Sequence, residues 1–559
     1  MRLTALLLLV VVQAGPARPP DSAVAAIVAE MLASAEHPGL KWRAIPDVVA
    51  ALRPLYDAEP DRLVWIDGTT PSASLDATLA ALRSAGDHGL DPADYDAARL
   101  TDQLALIRLR GSAIAPQALA HFDLGVSVAA ARMLRAVSLG RIDPATMRWG
   151  YDLTPKQFDV TAVIADVRRG TALAAALEEL EPRFAHYTRA RRTLAVYKAL
   201  AAAGEPEPIP SLPRSQKKVE SGQSWTGAPQ LARRLQTFGD LPAGAYDGTP
   251  TYSPALVDAV RKFQTRHGLE VDGVLGPGTI AALNVTLAAR VRQIELAIER
   301  MRWLPALGVR PKVFVNVPLF RLWADDPISG NEPLRMNVVV GQSMNHQTPI
   351  FVEQMEYVVF RPYWYPPYSI TSREIVPKAL KDPAYMDREA LEIVATGDDN
   401  AASLPATPEN LALVRQGKLF VRQRPGPKNS LGLAKFIFPN DDNVYMHGTP
   451  AEALFARARR DFSHGCIRLE DPARFAEWVL REQPEWTRAR IDAAMQGARP
   501  ARVNLKQPLA VVIFYDTVHV NSENVVFFVS DIYGHDRALD AALNRGYPYP
   551  LKSATPARR

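Results

Sequence analysis

The chain has 559 residues, of which 47% are hydrophobic and 22% charged, and its formal net charge is +5. This composition is ordinary for globular protein and excludes a wholly disordered or fibrous chain. Several domains are expected, because single hydrophobic cores stop growing near about 250–300 residues. The mild positive charge suits an anionic polymer or a membrane face. No Lys- and Arg-rich run stands out, so we expect no nucleic-acid partner.

The first residues have the pattern of an export signal. Arg2 precedes an apolar run that ends at Val12, and small residues follow up to Ala17. The run has the length of a signal-peptide core and is too short for a membrane span. We predict a signal peptide over 1–17 and no stable membrane span after its cleavage. An uncleaved anchor is the alternative.

Cys466 is the only cysteine of the chain, so no internal disulfide can form. An exported protein meets oxidising conditions, in which an unused thiol is exposed to oxidation and mispairing. The count alone leaves two interpretations open, a buried inert residue and a functional one.

The first third of the chain is rich in Ala and Leu at helical spacing, as at Leu75, Leu79 and Leu82. This periodicity predicts a mostly helical scaffold domain over 21–205, with no obvious chemistry. Pro, Ser and charged residues dominate 206–227, which we predict to be a linker.

Residues 228–287 form a compact predicted unit of three helices. The second helix includes Phe263 and Gln264 and stops at Gly268, and a tight turn at Asp272-Gly273 precedes the third helix. The segment resembles the peptidoglycan-binding three-helix module, and a generic helical bundle is the alternative. The resemblance implies that peptidoglycan is a partner.

After a helical connector over 288–308, β-branched and apolar runs typical of strands begin. They predict a β-rich domain over 309–535, expected to be a small sandwich, with a tail over 536–559. The polar stretch 369–427 is interpreted as an inserted capping subdomain. The fold class predicted for the whole chain is multidomain α+β. The predicted strands are 313–317, 336–341, 357–360, 435–438, 443–447, 509–515 and 524–529.

The residues around Cys466 have the composition of a nucleophilic site. His447 lies 19 positions earlier, at the end of a predicted strand, and an imidazole can take the proton of a nearby thiol. The amides of Gly465 and Cys466 are candidate oxyanion donors. Arg468 is suited to holding a carboxylate or to favouring the thiolate. On these residues alone, a core cysteine, a structural histidine and a zinc site remain open.

His447 together with Ser463-His464-Gly465-Cys466-x-Arg468 resembles the signature of the L,D-transpeptidase catalytic domain. The flanking blocks resemble the same family, and the end of the chain resembles its long periplasmic type. The blocks are 338–341 with 347–349, 360–364, 425–432, 438–440 and 527–534, the last of which contains Asp531-Ile532-Tyr533-Gly534.

The resemblance implies that Cys466 is the nucleophile and His447 the general base, with no cofactor and no metal. It also implies an oxyanion and substrate pocket formed by Ser463, His464, Gly465, Arg468, Tyr445 and Gly448.

The implied reaction forms 3→3 peptidoglycan cross-links through a thioester on Cys466, and the donor tetrapeptide stem loses D-Ala. A second stem peptide is the expected acceptor. The implied location is the periplasm, with roles in peptidoglycan biosynthesis and cell shape and with acylation by carbapenems. One alternative is an L,D-carboxypeptidase, or a hydrolase of stem or lipoprotein linkages, on the same fold. The other is a peptidoglycan-binding protein without catalysis.

Overall fold

The structure is a computed structural model that describes residues 22–59, 62–305, 307–330, 332–344 and 346–550. The predicted signal peptide lies outside these residues. Within them, no helix is long and apolar enough to cross a membrane. The chain divides into two compact units. One combines the residues up to Asp143 with Lys156–Arg183 and the residues from Ala541, and the other combines Pro144–Pro155 with Phe184–Asp540.

The first unit is helical, as predicted for the scaffold. Its longest helix is buried along nearly its whole length, and the other helices pack around it to form one apolar core. The elements are α1 (Ser22–Ser34), α2 (Pro46–Asp57), β1 (Ile66–Asp67), β2 (Thr70–Pro71), α3 (Leu75–Arg83), α4 (Ala97–Arg110), α5 (Pro116–Leu139), α6 (Val160–Arg169) and α7 (Leu173–Leu180).

Part of the predicted tail packs against this core. Tyr549 is buried, and Tyr547 contacts the apolar cluster with its hydroxyl 3.3 Å from the hydroxyl of Tyr95. The Arg132 guanidinium lies 4.6 Å from the centre of the Tyr547 ring. Isolated tyrosines carry no periodic pattern, so their burial is decided by tertiary packing alone.

The second unit begins with helices that include the three-helix module. Apolar side chains of all three module helices share one core. The Gln264 side chain accepts from the N–H of Gly273 and donates to Asp272, which ties the helix to the turn that follows it. The helices are α8 (Ala185–Ala203), α9 (Ala228–Thr237), α10 (Pro254–Arg266), α11 (Pro277–Leu283) and α12 (Leu287–Met301).

The predicted linker contributes to the same core. Ile209, Val219 and Trp225 are buried in it, and the N–H of Val219 donates to the carbonyl of Leu275. These apolar residues are scattered among Pro and charged residues, so no sequence periodicity indicates their burial.

The β-rich region contains a nine-stranded sheet in the order β12-β5-β13-β11-β10-β6-β14-β3-β4. β4 also pairs with β5, so the sheet closes on itself, and the expected sandwich was wrong. The strands are β3 (Lys312–Asn316), β4 (Arg321–Asp325), β5 (Leu334–Gly341), β6 (Phe351–Phe360), β7 (Leu391–Val394), β8 (Ser403–Leu404), β9 (Phe420–Gln423), β10 (Ala434–Ile437), β11 (Met446–His447), β12 (Asp461–Ser463), β13 (Ile467–Leu469), β14 (Ala501–Phe514), β15 (Val518–Val520) and β16 (Val526–Phe528).

The inserted subdomain (residues 369–427) has a small sheet of its own, in the order β8-β7-β9. Its apolar core includes Val376, Ile393 and Leu411, so it is a folded body rather than a long loop. A π-helical turn, Thr371–Ile375, leads into its helices. The helices of the β-rich region are α13 (Tyr368–Ile370), α14 (Val376–Lys381), α15 (Tyr385–Arg388), α16 (Pro408–Arg415), α17 (Pro472–Val479), α18 (Arg488–Gln496) and α19 (His535–Leu543).

Candidate active site

Two short parallel strands place the predicted base beside the segment that carries the predicted nucleophile. β11 pairs with β13 so that His447 lies opposite Arg468. The N–H of Ile467 donates to the carbonyl of Tyr445 at 3.1 Å. Cys466 is the residue immediately before β13, two positions before the partner of His447, so the thiol and the imidazole are carried by adjacent segments of the sheet.

The backbone selects the tautomer of His447. The ring is buried, and its Nδ1 lies 2.5 Å from the carbonyl oxygen of Gly448. A carbonyl only accepts, so Nδ1 carries the proton and Nε2 keeps a free lone pair. Burial, and then the charge of Arg468, lower the pKa of His447 to about 3. The imidazole is therefore neutral near pH 7 and available as a proton acceptor.

The environment of Cys466 keeps its thiol protonated in the absence of substrate. Burial raises the thiol pKa, while hydrogen bonds from Tyr445 and the charge of Arg468 act in the opposite direction. The sulfur lies 4.0 Å from the carbonyl oxygen of Asn443. Because the pKa of His447 is low and that of the thiol is high, the resting pair is thiol and neutral imidazole. Proton transfer then belongs to the reaction itself.

The nucleophile loop, residues 463–466, is held by hydrogen bonds from its own serine. Gly465 has φ +113°, a conformation that favours glycine. Its N–H donates to Ser463 Oγ at 3.2 Å, and Ser463 Oγ donates to the carbonyl of Cys466 at 2.5 Å. The Gly465 amide, a predicted oxyanion donor, is thus engaged within the loop in this conformation.

Two distant side chains fix the same loop, and both were missed as site residues. Thr348 Oγ1 donates to the carbonyl of Gly465 at 2.8 Å and accepts from the N–H of Gly341 at 2.9 Å. Tyr533 donates from its hydroxyl to the Gly341 carbonyl at 2.6 Å and accepts from the Thr348 N–H at 3.1 Å. A Cβ on Gly341 would lie 1.9 Å from the carbonyl oxygen of His346, so this approach requires glycine.

A signal for these residues was present in the sequence. Thr348 and Tyr533 both lie in blocks that resemble the family, at 347–349 and 531–534. The blocks are nearly 200 positions apart, so only the fold shows that they meet at the nucleophile loop.

The His464 side chain points to the inserted subdomain. It is exposed, its Nε2 is 3.3 Å from a carboxylate oxygen of Glu374 in the inserted subdomain, and its ring centre is 4.6 Å from that of His346. His464 therefore links the nucleophile loop to the inserted subdomain. Across the described residues, no group of three or more His, Cys, Asp and Glu side chains is arranged to hold a metal ion.

Gly448 and Tyr445 flank the base on β11. Gly448 is buried and donates its N–H to the carbonyl of Ala434 at 3.0 Å. The Tyr445 ring lies 5.7 Å from the His447 ring, and burial raises the pKa of its phenol. The phenol is thus a neutral hydrogen-bond donor beside the thiol.

Arg468 supplies the positive charge of the site. Its charge acts on both His447 and Cys466, and burial lowers the pKa of the guanidinium. Its Nε is buried and has no hydrogen-bond partner among the described residues. A buried N–H without a partner is costly unless a ligand satisfies it.

Three family models match the chain. Residues 50–194 match the "Scaffold domain", residues 228–283 the "Putative peptidoglycan binding domain", and residues 310–500 the "L,D-transpeptidase catalytic domain". The protein thus combines a helical scaffold, a peptidoglycan-binding module and a β-rich L,D-transpeptidase catalytic domain. The predicted fold class and the predicted resemblance are confirmed.

A partial match to a relative points the same way. A Haemophilus influenzae protein named "Putative L,D-transpeptidase" is 28% identical over 255 residues. The match covers 45% of this chain and 49% of the relative, so it spans about half the length of that protein.

Proposed function

We propose that this protein is an L,D-transpeptidase that forms 3→3 cross-links in peptidoglycan through a thioester on Cys466. The observation that carries the proposal is the strand pair β11–β13, which sets a neutral His447 with a free Nε2 beside the strand that follows the thiol. The catalytic-domain match over 310–500 supports the same chemistry.

In the first half-reaction, His447 Nε2 accepts the thiol proton and the sulfur attacks the carbonyl carbon of the third stem residue. Backbone amides of the nucleophile loop stabilise the resulting oxyanion. The Gly465 amide becomes available when its hydrogen bond to Ser463 Oγ breaks, and the Cys466 amide is the other candidate donor. The bond between that carbon and the D-Ala nitrogen breaks. D-Ala leaves with the proton held by His447, and a thioester on Cys466 remains.

In the second half-reaction, the side-chain amine of another stem attacks the thioester carbonyl. The new amide bond forms as the C–S bond breaks, and the proton lost by the amine returns through His447 to the sulfur. Water as the acceptor would give a tripeptide, which is the L,D-carboxypeptidase alternative. The inserted subdomain contacts the nucleophile loop through Glu374 and His464, a position suited to covering the thioester and limiting hydrolysis.

The peptidoglycan-binding module supports peptidoglycan as the polymer on which the enzyme acts. Together with the proposed reaction it supports a location in the periplasm, with export by the N-terminal segment 1–17. The same thiol is the proposed target of carbapenems, and the proposed biological role is in peptidoglycan synthesis and cell shape.

Intact-mass spectrometry of the mature protein with a tetrapeptide-stem muropeptide tests the proposal, with Cys466→Ala alongside. We expect an acyl adduct on the wild type only, followed by 3→3 dimers. Tripeptide without dimers would establish the carboxypeptidase alternative. Full turnover by Cys466→Ala would refute the thioester mechanism. Peptidoglycan binding without adduct or turnover would support the other alternative, a peptidoglycan-binding protein without catalysis.

A further inference from the structure

The hydrogen bonds that hold the nucleophile loop continue beyond Tyr533. The N–H of Tyr533 donates to the hydroxyl of Tyr515, the residue after β14, at 2.9 Å. That hydroxyl in turn donates to the carboxylate of Asp531 at 2.7 Å. Tyr533 is therefore held at both ends. Its backbone is held by Tyr515, and its phenol is held by Gly341 and Thr348.

The carboxylate of Asp531 sets the direction of these hydrogen bonds. Its second oxygen accepts from the backbone N–H of Asp536 at 3.0 Å and from that of Arg537 at 3.2 Å, at the start of α19. A carboxylate only accepts, so the Tyr515 hydroxyl donates to it and is left to accept from the Tyr533 N–H. The first oxygen of Asp531 thus determines the role of the hydroxyl that holds Tyr533.

The path ends on the nucleophile loop. Thr348 donates its N–H to the Tyr533 phenol and its hydroxyl to the carbonyl of Gly465, at 2.8 Å. Tyr515 and Thr348 are both buried. A buried polar group that loses its partner is costly, so groups linked in this way move together rather than separately. A change at Asp531 is therefore passed on to the loop that carries Cys466.

We propose that Asp531 is a positioning residue for the nucleophile loop, acting through Tyr515 and Tyr533. The inference rests on the proposed function and adds to it a residue that sets the place of the thiol. Because the attacking sulfur must lie close to the carbonyl carbon of the donor, a small shift of the loop lowers the rate of reaction of bound donor. It has little effect on the binding of the donor itself.

Asp531→Asn changes the hydrogen bonding of this side chain and keeps its shape. With its NH2 group toward Tyr515, the amide donates where the carboxylate accepted, and the hydroxyl proton loses its acceptor. With the amide reversed, the NH2 group faces the backbone N–H groups of α19. Either orientation leaves a donor without an acceptor.

The test measures kcat and KM for the tetrapeptide-stem donor in the full chain. The variants are Asp531→Asn, Tyr533→Phe and the double variant. Asp540→Asn is the matched control, because Asp540 lies on α19 and accepts from Arg292 of α12 at 2.7 Å. Rates are compared at a temperature at which thermal unfolding shows each variant to be folded.

Asp531→Asn and Tyr533→Phe should each lower kcat by about 10-fold and leave KM within about 2-fold of the wild type. The double variant should also lose about 10-fold rather than about 100-fold, because both changes release the same loop. Asp540→Asn should keep the wild-type kcat. Tyr515→Phe keeps the ring and removes the hydroxyl, so it should match Asp531→Asn and replaces it in the test if that variant does not fold.

Each result decides a separate point. An unchanged kcat in Asp531→Asn, or in Tyr515→Phe where that replaces it, would overturn the proposal. A loss of about 100-fold in the double variant would also overturn it, since Asp531 would then act independently of Tyr533. An equal loss in Asp540→Asn would assign the effect to α19 as a whole. Absence of acylation of the wild type would instead refute the proposed function.

Discussion

The nucleophile loop and the inserted subdomain are stabilised in opposite ways. The loop has four residues and no core of its own, and buried hydrogen bonds from Thr348 and Ser463 hold its backbone. The inserted subdomain has its own apolar core and meets the loop through the half-exposed polar contact of Glu374 and His464. The position of the thiol therefore depends on buried partners outside the loop, whereas the fold of the inserted subdomain depends on its own apolar core.

The largest expected effect is at the thiol itself. Cys466→Ser should lower kcat by roughly 10³-fold or more, because a hydroxyl is a far weaker acid than a thiol and His447 is a weak base. Dimer formation from tetrapeptide stems measures the change. Unfolding temperatures within about 1 °C of the wild type would show that the loop is intact. Near-normal turnover would contradict the assigned nucleophile.

Thr348→Val tests whether the loop depends on its distant partner. The change leaves the Gly341 N–H and the Gly465 carbonyl without their buried partner, so we expect a loss of about 1–3 kcal/mol in the free energy of unfolding. Because the carbonyl belongs to the nucleophile loop, kcat should fall by about 10-fold. Denaturant titration and steady-state rates measure both.

Thr348→Ser keeps the hydroxyl and is the control for this pair of measurements. It should restore most of the activity. Equal activity of the Val and Ser variants would show that the loop holds its conformation without this hydrogen bond.

The buried base should make stability depend on pH. The pKa of His447 is about 3 in the folded protein, below the ordinary value of 6.5. As pH falls from about 6.5 to 3, the unfolded state binds a proton that the folded state does not, so this residue lowers stability with a slope of up to about 1.4 kcal/mol per pH unit.

The comparison with His447→Gln isolates this contribution, because the burial of other histidines acts in the same direction in both proteins. Denaturant titrations between pH 7 and pH 4 should show a shallower loss of unfolding free energy in the variant. Identical slopes would show that the base is not held neutral by its surroundings.

The smallest effect is expected at the contact between the two regions. Glu374→Gln removes a half-exposed carboxylate that contacts His464, so the free energy of unfolding should change by less than about 1 kcal/mol. The ratio of tripeptide to dimer product should rise by a few-fold, because a less firmly seated cover admits more water. Chromatography of the products gives the ratio.

Asp382→Asn is the matched control, since Asp382 forms an exposed ion pair with Arg388 within the same subdomain. It should leave the product ratio unchanged. An equal rise in both variants would assign the effect to the charge of the subdomain rather than to its contact with the loop.

Local patterns accounted for much of the fold. The helical spacing around Leu75–Leu82 and the alternation of turn and helix residues in the module both correspond to observed elements. The strands β12 and β13 were not predicted, because three residues on either side of a turn carry no periodicity. Closure of the sheet by β4 was also missed, since strand order depends on contacts between distant segments.

Local periodicity and short motifs were sufficient to predict the helical scaffold, the module, the resemblance to L,D-transpeptidases and the candidacy of Cys466 and His447. The tautomer of His447 and the support of the nucleophile loop by Thr348 and Tyr533 became visible only in the folded protein. Hydrogen-bond partners and strand register join residues that are far apart in the chain, and no local pattern encodes which of them meet.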